Sequence, residues 1–178
     1  MADVFTDMLH SWQNFYFMAG GAAAALIGLM FVAMSLGMHL ISDTTRELGR
    51  FFILPSILYF VSVLILCCVM LNPAFSPTSL ALVLFLGGLA GLGVTWRYVR
   101  QLIQIAKKYQ DFDRGDWLAQ VVLPVVNYTL IVAAALCCVI SQWEFAFSAL
   151  WIATILLLLS AIANTWSLVM WIVEQRVE

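Results

Sequence analysis

Apolar residues gather along this chain into five long runs: Trp12–Ile41, Phe51–Leu71, Leu80–Trp96, Trp117–Ser141 and Ala149–Val173. Each is at least about 17 residues long, enough for a membrane-crossing helix. None contains Asp, Glu, Lys or Arg, and the connections between them are short. The pattern predicts an all-α integral membrane protein with five transmembrane helices and a single membrane domain.

The first run carries a second pattern. Asn14, Gly21, Gly28, Ser35 and Ser42 recur at heptad spacing, and Met18, Ala25, Val32 and His39 follow the first four at four residues' distance. A seven-residue period holds such positions on one narrow stripe of a helix. A stripe of small and polar groups lets another helix approach closely, within the chain or from a second copy. Alternatively, several copies bring the stripe to a shared axis, where Asn14, Gly21, Gly28, Ser35 and His39 line a narrow neutral pore.

The later runs contain a repeat. Leu54-Pro55, Tyr59 and Leu66-Cys67-Cys68-Val69 recur as Leu123-Pro124, Tyr128 and Leu136-Cys137-Cys138-Val139, and Thr95-Trp96 recurs as Thr165-Trp166. The architecture expected is one N-terminal helix plus a parallel tandem repeat of two helical hairpins, about 51–103 and 117–173. Pro55 and Pro124 are expected in the first turn or two of their helices. Gly87, Gly88, Gly91 and Gly93 in the third run make a small-residue face, with Gly87 and Gly91 spaced for close helix pairing. Beyond Trp96 the third helix is expected to continue to about Tyr109, with Arg97, Arg100, Lys107 and Lys108 forming a basic stripe. That stripe suits anionic lipid headgroups or a cytoplasmic partner, or simply marks the end of a span. Asp116 is placed to cap the fourth helix.

Composition supports the membrane reading. Of 178 residues, 64% are hydrophobic and 10% charged, against about a quarter charged in soluble domains. No soluble fold could hide that much apolar surface. The net charge of −2 and the lack of a basic tract exclude a nucleic-acid partner. All eight basic residues fall before the second run, between the third and fourth, or after the fifth. Lys and Arg are retained on the cytoplasmic side, so the N-terminus is expected outside and the C-terminus inside. Trp12, Trp117, Trp143 and Trp171 stand near run ends, where indoles prefer to sit. The acidic N-terminal segment, with Asp3 and Asp7 and no basic residue, predicts a retained first helix rather than a cleaved leader.

The candidate chemistry is sparse. Without charged groups in the runs, ion-coupled transport lacks its usual machinery. No zinc-protease, phosphate-loop or nucleophile-elbow motif occurs, so the chain is expected not to be an enzyme and to need no cofactor or metal. Cys67, Cys68, Cys137 and Cys138 are expected at one depth near the outer face. They could pair or bind a soft metal, but adjacent helical residues diverge, and cysteine is also a small apolar residue. Met30, Met34 and Met38 form a stripe that suits either Cu(I) passage or flexible packing. Asn127, Thr129, Asn164 and Thr165 are expected to face protein rather than lipid.

Trp12-Gln13-Asn14-Phe15-Tyr16 followed by Ala19-Gly20-Gly21-Ala22-Ala23-Ala24-Ala25-Leu26-Ile27-Gly28 and on to Leu36 resembles the opening of small bacterial multispan proteins, some of them labelled modulators of the FtsH membrane protease. The resemblance implies a bacterial inner-membrane protein without a catalytic site of its own. Its partners would be membrane lipids, and either itself as a homo-oligomer or another membrane protein.

Overall fold

A computed structural model describes the backbone over residues 2–37, 46–106 and 122–174, and side chains over 4–35, 55–100 and 122–166. His39, Ser42, Met38, Lys107, Lys108, Asp116 and Trp117 lie outside the described residues, as does the side chain of Trp171. The described residues form five helices: α1 (Ala2–Gly37), α2 (Arg46–Leu71), α3 (Pro77–Ala106), α4 (Leu123–Val139) and α5 (Trp143–Glu174). Three segments, Val4–Ser35, Pro77–Arg100 and Trp143–Trp166, are long and apolar enough to cross a membrane, and Pro55–Leu71 and Leu123–Val139 are shorter apolar helices. Helices satisfy every backbone amide internally, as a chain this apolar requires.

Four of the five described helices, α1, α2, α3 and α5, begin earlier than their apolar runs. α1 starts at Ala2 rather than Trp12. Phe5 is buried against Trp143 and Phe147, with ring centroids 5.2 and 6.4 Å away. Asp3 and Asp7 fall in the first two turns, where the positive helix end favours carboxylates. α3 starts at Pro77 because Ser76 caps it: the Ser79 amide donates to Ser76 Oγ at 3.2 Å, and the Leu80 amide to the Ser76 carbonyl at 2.9 Å. Proline at the first helical position completes this start. α5 begins at Trp143 rather than Ala149, with Glu144 in its first turn. Pro55 lies well inside α2 rather than at its start, because α2 takes in Arg46 and the residues after it. Its ring removes one backbone hydrogen bond at that point.

Two turns differ in kind. Between α4 and α5 the chain reverses within Ile140–Gln142. Ser141 adopts φ 60°, its amide donates to the Cys138 carbonyl at 3.2 Å, and the Gln142 amide donates to the Cys137 carbonyl at 2.9 Å. This is the paired 5→2 and 6→1 closure that ends a helix at a left-handed residue. The α2–α3 turn is longer, with the Asn72 side chain accepting from the Ala74 amide at 3.0 Å. α4 lies against α5, α3 against α4, α2 against α5, and α1 against α2 and α5, whereas α2 and α3, though consecutive, stand apart.

The core between them is apolar and fully covered, with Tyr16, Met30, Phe60, Val63, Met70, Phe147, Leu150 and Leu157 at its centre. Large apolar side chains also cover the outside, among them Phe17, Phe31, Ile65, Leu86, Val139 and Phe145. A shell of this kind is a liability in water and the expected surface in lipid. Ser141 holds a conformation that costs a non-glycine residue about 1 kcal/mol or more. Ser141→Gly is therefore expected to stabilise the purified protein by about 1 kcal/mol, read as a higher midpoint on denaturation in detergent. A lower midpoint would mean that the Ser141 side chain contributes contacts that outweigh the backbone strain.

Candidate functional site

α1 has two distinct faces. Its inward stripe is Phe5, Tyr16, Ala19, Ala23 and Met30, all buried. Gly20 belongs to it: a Cβ there would stand 3.1 Å from the Cβ of Cys67 on α2, so the glycine sets how closely α1 and α2 approach. The heptad stripe is elsewhere. Asn14, Gly21, Gly28 and Ser35 are all exposed, and a Cβ at Gly21 or Gly28 would meet nothing within 4 Å. Met18 and Val32 on the same side are exposed too. The stripe is therefore not the surface on which the other described helices pack. That role falls to the alanine–tyrosine face, whose periodicity is the ordinary one of a buried helix.

The methionine stripe divides. Met30 is buried and its sulfur lies 4.0 Å from the Thr165 hydroxyl, while Met34 packs partly buried at the core's edge. Both serve as packing between α1 and its neighbours. The cysteines divide as well. All four are free thiols; Cys67 and Cys138 are buried, Cys68 exposed and Cys137 half-buried. Adjacent members point to different sides, as helical geometry requires. Among the described residues no three His, Cys, Asp or Glu side chains gather at one point.

Polar groups inside the helices find partners unevenly. Asn164 on α5 donates to the Ser56 hydroxyl on α2 at 3.1 Å. Thr129, though exposed, returns its hydroxyl to the Val125 carbonyl at 2.6 Å, so it needs no neighbouring helix. Thr165 does the same with Ala161 at 2.7 Å. Asn127 is completely buried on α4, and among the described residues neither atom of its amide has a hydrogen-bond partner. The Tyr16 hydroxyl is in the same position. Such groups cost stability rather than add to it.

The close pairing of the third helix also differs from the expected one. Gly87 faces open space, whereas a Cβ at Gly88 would come within 2.6 Å of Val132 and one at Gly91 would enter the Tyr128 ring. The contact with α4 is thus made by Gly88 and Gly91, one turn apart. Tyr128 continues across to α2, sharing a hydrogen bond of 2.8 Å with the Ser62 hydroxyl. Between α2 and α3 this leaves an apolar groove of about 310 Å³, floored by Tyr128 and Ile131, with Gly87 in its wall. The sequence signal was present in the run of glycines, but spacing alone does not say which of them touches a neighbour.

At the cytoplasmic end expected for α3, Arg97 and Arg100 are both exposed. Arg100 lies over the Trp96 ring, 5.1 Å from its centroid, a cation–π contact. Comparison with known protein families, curated proteins and solved structures finds no match to this chain.

Gly91→Ala is expected to destabilise the bundle by about 1–3 kcal/mol through forced displacement of Tyr128, while Gly87→Ala is expected to leave it unchanged. Tyr128→Phe should cost about 1 kcal/mol by orphaning Ser62. Denaturation midpoints of the three variants in one detergent check this; equal midpoints for Gly91→Ala and Gly87→Ala would contradict the glycine assignment.

Proposed function

We propose that the chain is a non-enzymatic, five-span protein of the bacterial inner membrane that serves as an accessory or regulatory subunit of a membrane complex, joined to it through the outward stripe of α1. One observation carries this reading. Asn14, Gly21, Gly28 and Ser35 form a small-residue face that the other described helices leave open. Lipid tails gain nothing from small residues, whereas another helix gains close backbone contact. The orientation, N-terminus outside, rests on the eight basic residues and their confinement to alternate connections. The hairpin repeat rests on the recurring residues; in the packing α2 lies on α5 as α3 lies on α4, while α4 also lies on α5 and α2 stands apart from α3. The resemblance of the first span to proteins labelled FtsH modulators makes a membrane protease the class of partner to seek first.

A second reading draws on the same exposed stripe: a homo-oligomeric channel for ions or small neutral solutes, with α1 of each copy at the centre. Single cysteines at Gly21, Gly28 and Ser35, in a chain whose four native cysteines are replaced by Ala, separate the two. In native membranes, the accessory reading expects bifunctional maleimides to link these positions to a distinct, heavier protein, and expects charged maleimides not to label Gly28→Cys. A ladder of homo-oligomers together with aqueous labelling at Gly28 and Ser35 would replace it with the channel. Absence of both cross-linking and labelling would sink both readings.

A further inference from the structure

The groove between α2 and α3 remains to be assigned. Along α3 it runs from Val83 to Val94, and along α2 from Leu58 to Val69. Each stretch is about 16 Å long at the helical rise; the groove starts near the outer end of α2, where Val69 precedes Leu71 by two residues, and runs past the middle of the span toward the cytoplasmic side. Its lining includes no charged residue. The two hydroxyls at its floor, Ser62 and Tyr128, bond to each other and so ask nothing of an occupant. Whatever fills it is apolar along its whole length. A single flexible hydrocarbon chain fits a slot of about 310 Å³ drawn out over this distance.

The two ends of the groove are unlike. The turn at its outer end, Asn72–Ser76, contains no charged residue. At the other end Arg97 follows Val94 by three residues and Ala90 by seven, which keeps it in the row that edges the groove. Arg97 is exposed, and among the described residues no carboxylate pairs with it. Arg100 occupies a different row and lies over Trp96. An apolar slot that runs toward a cation one turn beyond its cytoplasmic end matches an amphiphile with one anionic end.

We infer that the α2–α3 groove binds an anionic phospholipid of the cytoplasmic leaflet, one acyl chain lying against Gly87 and Ala90 and the phosphate meeting Arg97. This rests on α2 and α3 crossing the bilayer with the orientation proposed above, and not on what binds the α1 stripe. Gly87 is the natural place to close the slot, because a side chain there meets open space and fills the groove without disturbing the contact with Tyr128.

The test uses the full-length protein in detergent, with phosphatidylglycerol, phosphatidylcholine of the same chains, and glycerol phosphate as probes. Bound lipid is read by native mass spectrometry together with oligomeric state. The wild type is expected to retain phosphatidylglycerol at least fivefold over phosphatidylcholine. Arg97→Gln should abolish that preference, Gly87→Leu should lower occupancy by both lipids about fivefold, and Arg100→Gln should behave as wild type. Ala90→Leu serves in place of Gly87→Leu if the latter does not fold. Equal losses from Arg97→Gln and Arg100→Gln would reduce the effect to general surface charge and overturn the site. So would unchanged lipid occupancy in the groove-filling variant, or glycerol phosphate displacing the lipid at equal concentration. A groove-filling variant that loses an oligomer while keeping its lipid would reassign the groove to a protein contact. Wild-type lipid selectivity in a protein whose termini label from the opposite sides would instead mark the orientation as the failing premise.

Discussion

One side chain joins three of the five helices. Tyr128 stands on α4, lays its ring into the space that Gly91 leaves on α3, and reaches Ser62 on α2 with its hydroxyl at 2.8 Å. Both halves of the residue are needed. The ring fixes the α3–α4 distance at what a missing Cβ allows, and the hydroxyl holds α2 at the span of a phenol from α4. In a dry interior a hydroxyl pair of this kind is well worth making, because each group unpaired would carry its full desolvation cost. The separation of α2 from α3, and hence the groove between them, follows from that span.

On the other side of the bundle the governing feature is how α1 divides its circumference. Gly20 brings it close to α2, Met30 meets Thr165 on α5, and Asn14, Gly21, Gly28 and Ser35 are left outside. Small residues on both faces make α1 able to pack tightly in two directions at once. The chain uses one of them.

The helical character of the described residues, and the presence among them of helices long and apolar enough to cross a membrane, were legible because they depend on composition and run length. Helix ends were less so. The apolar runs stop at the first polar residue, whereas the helices continue through Phe5, Ser79 and Glu144 under capping and aromatic contacts that hydropathy does not register. The Ser76-Pro77 pair was a readable start signal. The direction of the α1 stripe was not legible, since a heptad of small residues looks the same whether it faces its own bundle or a neighbour. Nor was the choice between Gly87, Gly88 and Gly91, which depends on where one tyrosine from a distant helix arrives. The cysteine pairs, equivalent in sequence, separate in the fold because only one of each pair can face inward.

At 36 residues, α1 is about 54 Å long, well over the ~30 Å of a bilayer's hydrocarbon. A helix longer than its membrane accommodates by tilting. Here the far end is not free to swing: Phe5 is clamped between Trp143 and Phe147, and Trp12 meets Trp151 with ring centroids 6.5 Å apart. Any re-angling of α1 is therefore passed through these rings to the first turns of α5.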